Sequence, residues 1–221
     1  MTVPRLAGIA VLIVIAIILA FGIDHTVARM AAAASPTVLT VFRFITWFGQ
    51  GGVILVPSGL ILLGALWLRP RLPSLAGPIR RTILQAGLLF AAVAAAGLVN
   101  DGLKLLFSRA RPRLWLNGDQ SGFFFERLGS DYQSFPSGHT ATSVAAAIVL
   151  AGLFPRWRLA FAAFAIVIAS SRILLDAHYL SDVIAGAAVG VVAATVTLAW
   201  FRGRGWASGG RSQGAGFTSV Q

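Results

Sequence analysis

Four cations, two imidazoles and two carboxylates stand in three short stretches of an otherwise apolar chain. "KLLFSRARP" supplies Lys104, Arg111 and Pro112; "PSGH" supplies Pro136, Ser137, Gly138 and His139; "SRILLDAHYLSD" supplies Ser171, Arg172, His178 and Asp182. Brought together, Lys104, Arg111 and Arg172 would repel one another unless an anion held them, and guanidinium forks match phosphate oxygens in geometry and charge. Pro136 suits a helix start, where Ser137 and Gly138 offer a hydroxyl and closely approachable backbone N–H groups at the positive end of the dipole. His178 and Asp182 stand four apart. On one helix face the carboxylate can accept from one imidazole nitrogen, leaving the other as nucleophile or base. His139 is then a second imidazole, available as a general acid. A phosphoryl centre held and attacked in this way needs no metal and no organic cofactor, and none is expected.

The elements that position these groups are membrane spans. Of 221 residues, 57% are hydrophobic and 11% charged, whereas a soluble domain carries about a quarter charged residues. Apolar runs at 6–23, 51–68, 82–99, 139–154, 159–175 and 180–201 are each long enough, or nearly so, for the ~17 to 25 residues that cross a bilayer. The expected fold is therefore all-α, a polytopic bundle of six transmembrane helices within 1–201. The first run is read as a retained span, because its apolar core exceeds the ~7–15 residues of a signal peptide. The last two runs are almost continuous and require a tight polar turn near 176–179. There is no cysteine, which removes disulfide and thiol chemistry.

Numbering the spans from the N-terminus puts ten Arg and no acid on one side: Arg5, Arg69, Arg71, Arg80, Arg81, Arg156, Arg158, Arg202, Arg204 and Arg211. The opposite side holds eight basic residues and all seven Asp and Glu. The positive-inside tendency makes the acid-free side cytoplasmic, with both termini there. The net charge of +11 is then read as topology and attraction to anionic headgroups, not as nucleic-acid binding.

Smaller features follow. The apolar spacing in 37–49 suggests an amphipathic helix at the interface. Trp115, Phe123, Phe124 and Phe125 in the outer loop 102–136 read as interfacial anchors. Gly186 and Gly190 form a small-xxx-small pair suited to close helix packing. Asp176, four after Arg172, is expected to pair with it. Asn100 and Asp101 cap or pair locally, Arg109 and Arg113 meet substrate or headgroups, and His25 lies at the interface without partners. The Gly- and Ser-rich 202–221 segment has the composition of a disordered tail.

Lys104-x6-Arg111-Pro112, Pro136-Ser137-Gly138-His139 and Ser171-Arg172-x5-His178-x3-Asp182 resemble, in order and spacing, the three-part signature of the type 2 phosphatidic acid phosphatase (PAP2) superfamily. That superfamily includes membrane lipid phosphatases and soluble vanadium haloperoxidases. The resemblance implies that His178 attacks phosphorus to form a phosphohistidine, that Asp182 orients it, and that His139 protonates the leaving alkoxide and then activates water. It further implies that Lys104, Arg111, Ser137, Gly138 and Arg172 bind the phosphate oxygens. Spacing alone only favours His178 as the attacking group. The implied partner is a lipid phosphate in the bilayer, reached from the periplasmic face of a bacterial inner membrane. Phosphatidic acid, phosphatidylglycerol phosphate, undecaprenyl pyrophosphate and lipid A are all in the family's range. A lipid phosphotransferase, and more remotely a non-enzymatic anion- or lipid-binding protein, are the alternatives.

Overall fold

A computed structural model of the protein describes residues 3–118, 120–125, 127 and 129–203, with side chains from residue 11 onward. Among the described residues eight α-helices follow one another: α1 (Val3–Ala32), α2 (Pro36–Trp47), α3 (Gly51–Leu68), α4 (Ala76–Phe107), α5 (Pro112–Leu116), α6 (Gly138–Leu153), α7 (Arg158–Leu174) and α8 (Leu180–Gly203). Among the described residues no β-strand forms, and one isolated bridge joins Arg109 to Phe123. Residues 204–221 of the expected tail lie outside the described residues.

Five segments are long and apolar enough to cross a membrane, and α6, with 16 residues, is a shorter apolar helix. Their outward faces carry Leu12, Leu19, Leu60, Leu63, Leu98, Leu159 and Val196, each more than half exposed. A surface of that kind is stable only against lipid. The six-span bundle of a multi-pass membrane protein results.

α6 is central and packs against α4, α7 and α8. At ~1.5 Å per residue it covers about 24 Å, less than the ~30 Å hydrocarbon core. Its first turns are enclosed by protein, with Thr140, Ala141, Thr142 and Ser143 all buried. The core around it is made largely of small residues: Ala92 and Ala96 of α4, Ala141 and Ala145 of α6, and Ala193 and Ala194 of α8. Small side chains let helix backbones approach, which is how helices gain contact in lipid. Gly186 and Gly190 serve the same end. A Cβ on Gly186 would stand 2.4 Å from the Ser137 carbonyl oxygen, and one on Gly190 2.5 Å from that of Ala141.

Two helices outrun the apolar pattern. α1 continues past residue 23 to Ala32, and α4 past residue 99 to Phe107. The pattern stops at the first charges, Asp24 and Asp101. Both helices run through them: Asp24 is buried against Arg109, and Asp101 is exposed beside Lys104. Lys104 is consequently carried on α4 itself.

α2 forms over the stretch where an amphipathic helix is expected. Ser35 caps it, its hydroxyl accepting from the Val38 N–H at 3.4 Å, and Pro36 opens it. It buries no residue fully and packs against α7, leaving Val38, Val41, Phe44 and Trp47 exposed. The turn between α7 and α8 spans 175–179, where the N–H groups of Ala177 and His178 both donate to the Arg172 carbonyl, at 3.2 and 3.1 Å. α8 then starts on a reciprocal cap: Asp182, in its first turn, accepts from the Tyr179 N–H at 2.8 Å, satisfying a donor that the helix cannot.

Candidate functional site

The C-terminal ends of α4 and α7, the N-terminal ends of α6 and α8, and the α4–α5 connection meet at one end of the bundle. That convergence gathers the residues of the three sequence stretches. His139 lies within electrostatic range of Arg172, His178, Lys104 and Arg111. A Cβ on Gly138 would stand 3.2 Å from Lys104 Nζ and 3.2 Å from Asn100 Nδ2, so the ammonium sits against the start of α6. The first N–H groups of α6 have no intrahelical partner. A cation and a helix N-terminus therefore face the same space, an arrangement suited to an anion.

Each cation is fixed by a different neighbour. Lys104 Nζ lies 3.5 Å from Asp101 Oδ1. Arg111 donates from Nε to the Ser130 carbonyl at 2.6 Å and from Nη1 to that of Ala177 at 3.2 Å. Arg172 donates from Nη1 to Thr46 Oγ1 of α2 at 2.6 Å, and its buried Nε has no partner within the protein. All three retain donors for a further anion. The α2–α3 corner completes the wall: Thr142 Oγ1 donates to the Gly49 carbonyl at 3.1 Å, and a Cβ on Gly49 would meet Ile168 at 2.4 Å and His139 at 3.3 Å.

His178 is 3% exposed. Its Nδ1 lies 2.6 Å from the Ser134 carbonyl oxygen and 3.8 Å from Asp182 Oδ2. A carbonyl can only accept, so Nδ1 carries the proton and the Nε2 lone pair is free. Burial pushes the imidazole down to about 4, outweighing the opposite pull of Asp182. The ring is thus neutral at ordinary pH. The 3.8 Å separation exceeds a hydrogen bond, so the expectation of a direct His178–Asp182 bond gives way to a bond to the Ser134 backbone. Asp182 acts on the ring through space and through Ser134, whose hydroxyl donates to Asp182 Oδ2 at 2.5 Å.

Ser137, fully buried, precedes α6 and receives a hydrogen bond from Thr140 Oγ1 at 3.0 Å. Its own N–H donates to the Asp182 carbonyl at 3.0 Å. That donor is therefore occupied, and the N–H groups open to an anion begin at Gly138. Asn100 is buried, and its Nδ2 donates to the Pro136 carbonyl at 3.2 Å. It braces this segment across 36 residues of chain, a longer-range role than the local cap expected of it.

Several minor expectations change. Asp176 does not pair with Arg172, because α7 ends at Leu174 and the i, i+4 geometry does not extend into the turn. Asp176 takes a left-handed φ of 50°, and its Oδ1 is buried without a partner. Arg109 does not face substrate; it is 5% exposed and ion-paired to Asp24 and Asp182. Arg113 pairs with Asp131. His25 is not partnerless, since its ring stacks on Trp115 at 4.1 Å. Phe123 packs with Phe21, Phe107 and Phe135 rather than anchoring in lipid, and Phe124 packs on Tyr132. Only Phe125 of that trio is widely exposed, at 62%.

Among the residues the sequence did not single out are Ser134, Asp24, Thr46 and Ser181. Asp24 carried a usable signal, since an acid within an apolar helix must find a partner. Ser134 carried none, because its backbone carbonyl does the work. An apolar cavity of about 390 Å³ lies between α3, α4 and α6. No titratable side chain lines it, so it is not a second reactive site. Among the described residues no three His, Asp or Glu side chains gather as metal ligands would.

Fold and site together define a multi-pass helical membrane protein with cationic and imidazole side chains gathered at one end of the bundle. The chain belongs to the PAP2 superfamily, whose sequence model matches residues 85–206. It is 42% identical over 113 residues to a lipid A 1-phosphatase from Rhizobium johnstonii, an alignment covering 51% of this chain and 43% of that protein. A lipid A 1-phosphatase from Rhizobium etli is likewise 42% identical over 102 residues, 46% of this chain and 44% of the relative. The chain thus matches less than half the length of these relatives. Among solved structures, LpxE from Aquifex aeolicus superposes with a TM-score of 0.59 at 22% identity, over 80% of this chain and 95% of that one. The first transmembrane PAP2-type phosphatidylglycerolphosphate phosphatase from Bacillus subtilis superposes with a TM-score of 0.61 at 21% identity, over 87% and 96%. Both share the fold.

Proposed function

We propose that the protein is a membrane lipid phosphatase that hydrolyses a phosphate ester of a lipid through a phosphohistidine on His178. The observation that carries this reading is the Nδ1 contact of His178 with the Ser134 carbonyl, which leaves Nε2 free on a ring within electrostatic range of Arg111 and Arg172. Lys104, Arg111, Arg172, Ser137 and the Gly138 N–H hold the phosphate oxygens. The Nε2 lone pair bonds to phosphorus, and the ester P–O bond breaks with its electrons passing to the leaving oxygen, which takes a proton from His139. Water then gives a proton to His139 and attacks phosphorus, and the N–P electrons return to Nε2. The net reaction converts lipid phosphate and water to lipid alcohol and inorganic phosphate. Catalysis rests on positioning and charge stabilisation, as phosphoryl transfer generally does.

Lipid A 1-phosphate is the substrate class that the identity to the two Rhizobium proteins supports. The ten Arg on the acid-free side support a cytoplasmic location for both termini and a periplasmic one for the site. The test is phosphate release from lipid A 1-phosphate, phosphatidic acid, phosphatidylglycerol phosphate and undecaprenyl pyrophosphate, scored by kcat/KM with a chelator present. The expected result is preference for the lipid A species and an alkali-stable radiolabelled phosphoenzyme that is absent in His178→Ala. Full activity of that variant would sink the mechanism.

A further inference from the structure

Behind His178, away from the phosphate pocket, three ionisable side chains are buried together. Asp24 of α1 is 2% exposed, Arg109 5% and Asp182 0%. Arg109 donates from Nη2 to Asp24 Oδ2 at 2.8 Å and from Nη1 to Asp182 Oδ1 at 2.5 Å. Ser181 closes the cluster: its N–H donates to Asp24 Oδ1 at 2.9 Å, its hydroxyl to Asp24 Oδ2, and Arg109 Nη1 reaches its oxygen at 2.7 Å. The rings of Tyr179 and Phe21 flank the guanidinium at 4.2 and 4.6 Å. Asp182 in turn holds Ser134 and the Tyr179 N–H. The chain of contacts from α1 therefore ends at the carbonyl that orients His178.

The charges decide what this cluster is for. Arg109 paired with Asp182 alone would be neutral, and a neutral pair offers little to an imidazole that becomes cationic once Nε2 bonds to phosphorus and Nδ1 keeps its proton. Asp24 adds a second carboxylate to one guanidinium, so the cluster carries one net negative charge, with Asp182 Oδ2 3.8 Å from Nδ1. In surroundings that screen poorly, such a charge acts strongly on the ring.

We propose that Asp24 and Arg109 are positioning residues for phosphoryl transfer: Arg109 holds Asp182, while Asp24 holds Arg109 and the first turn of α8 and keeps the cluster net negative behind His178. This rests on the reading of His178 as nucleophile. In the step concerned, the N–P bond forms from the Nε2 lone pair, the P–O electrons leave with the alkoxide, and His139 supplies its proton. The positive charge left on the ring is what the cluster offsets.

Single-turnover kinetics on radiolabelled lipid A 1-phosphate in mixed micelles test this with full-length protein. Asp24→Asn keeps the shape but removes the charge, and it should slow phosphohistidine formation about 10- to 100-fold, the range of a lost charge contact. KM should stay within about twofold, because the three phosphate-binding cations are untouched. Asp24→Glu should recover most of the rate. Arg109→Lys, which cannot reach both carboxylates as a fork does, should fall by a similar factor, and its combination with Asp24→Asn should add little. An Asp24→Asn rate equal to wild type overturns the proposal. So does a deficit that lies wholly in the phosphoenzyme amplitude at an unchanged rate constant, since that is a loss of folded protein. Should Asp24→Asn not fold, Asp24→Glu against Arg109→Lys gives the same decision. Absence of any alkali-stable phosphoenzyme in the wild type would instead overturn the reading of His178.

Discussion

The Nδ1 of His178 lies 2.6 Å from the carbonyl oxygen of Ser134. Side-chain substitution cannot remove that carbonyl, so the tautomer of His178 is set by the path of the backbone ahead of α6. Ser134 is itself held by its hydroxyl bond to Asp182 and by its N–H donating to the Arg109 carbonyl at 3.0 Å. Replacing Ser134 by Ala keeps the carbonyl and removes the hydroxyl. A hydrogen bond to a charged group contributes about 1.5–3 kcal/mol, so kcat should drop at least about tenfold. Steady-state kinetics at saturating substrate check this, and an unchanged kcat would mean Asp182 holds its place without Ser134.

The buried, neutral state of His178 makes a pH prediction of definite sign. Its folded value is pushed down to about 4, while an unfolded histidine titrates near about 6.5. Between these values the unfolded chain takes up a proton that the folded one refuses. The contribution to stability is complete above about 6.5 and is lost as pH falls toward about 4. Thermal unfolding in detergent should show a steeper fall in Tm from pH 7 to pH 4.5 for the wild type than for His178→Gln. Parallel curves would count against a neutral buried ring.

Arg172 is steadied by Thr46, a residue of α2. Thr46→Val preserves shape and removes the acceptor, freeing the guanidinium to wander. KM for lipid phosphate should rise about three- to tenfold, the equivalent of about 1 kcal/mol, with kcat little changed. An unaltered KM would show that Arg172 does not depend on α2.

Gly186 lets α8 lie directly against the Ser137 backbone. Gly186→Ala would put a methyl 2.4 Å from the Ser137 carbonyl oxygen, a backbone atom that cannot rotate away. Overpacking of this kind costs about 1–3 kcal/mol, a drop of roughly 2–12 °C in Tm for a chain of this size. Activity should fall further than stability, because the displaced segment carries Ser137, Gly138 and His139. Differential scanning fluorimetry beside an activity assay separates the two, and full activity would be contrary to a tight α6–α8 contact.

Hydropathy made six spans legible, because a bilayer demands a run of apolar residues that no other context requires. It was misleading at two helix ends, where Asp24 and Asp101 looked like boundaries. A charge ends an apolar run without ending the helix: Asp24 is buried against Arg109, while Asp101 is exposed beside Lys104 where α4 runs on past the apolar stretch. Arg172 and Asp176 do not pair with each other, for a related reason. A spacing of four brings side chains together only while the helix lasts, and α7 stops at Leu174.

By itself the sequence offered the candidate residues, Lys104, Arg111, Ser137, Gly138, His139, Arg172, His178 and Asp182, through their types and spacing. It also determined the class of fold, since apolar run length is a local property. What only the tertiary structure decided is how His178 is held. A backbone carbonyl at Ser134 and the buried Asp24–Arg109–Asp182 cluster come from parts of the chain up to 158 residues apart (Asp24 to Asp182). Backbone atoms are the same at every position, and long-range ion pairs leave no periodicity, so neither can be read until the helices are packed.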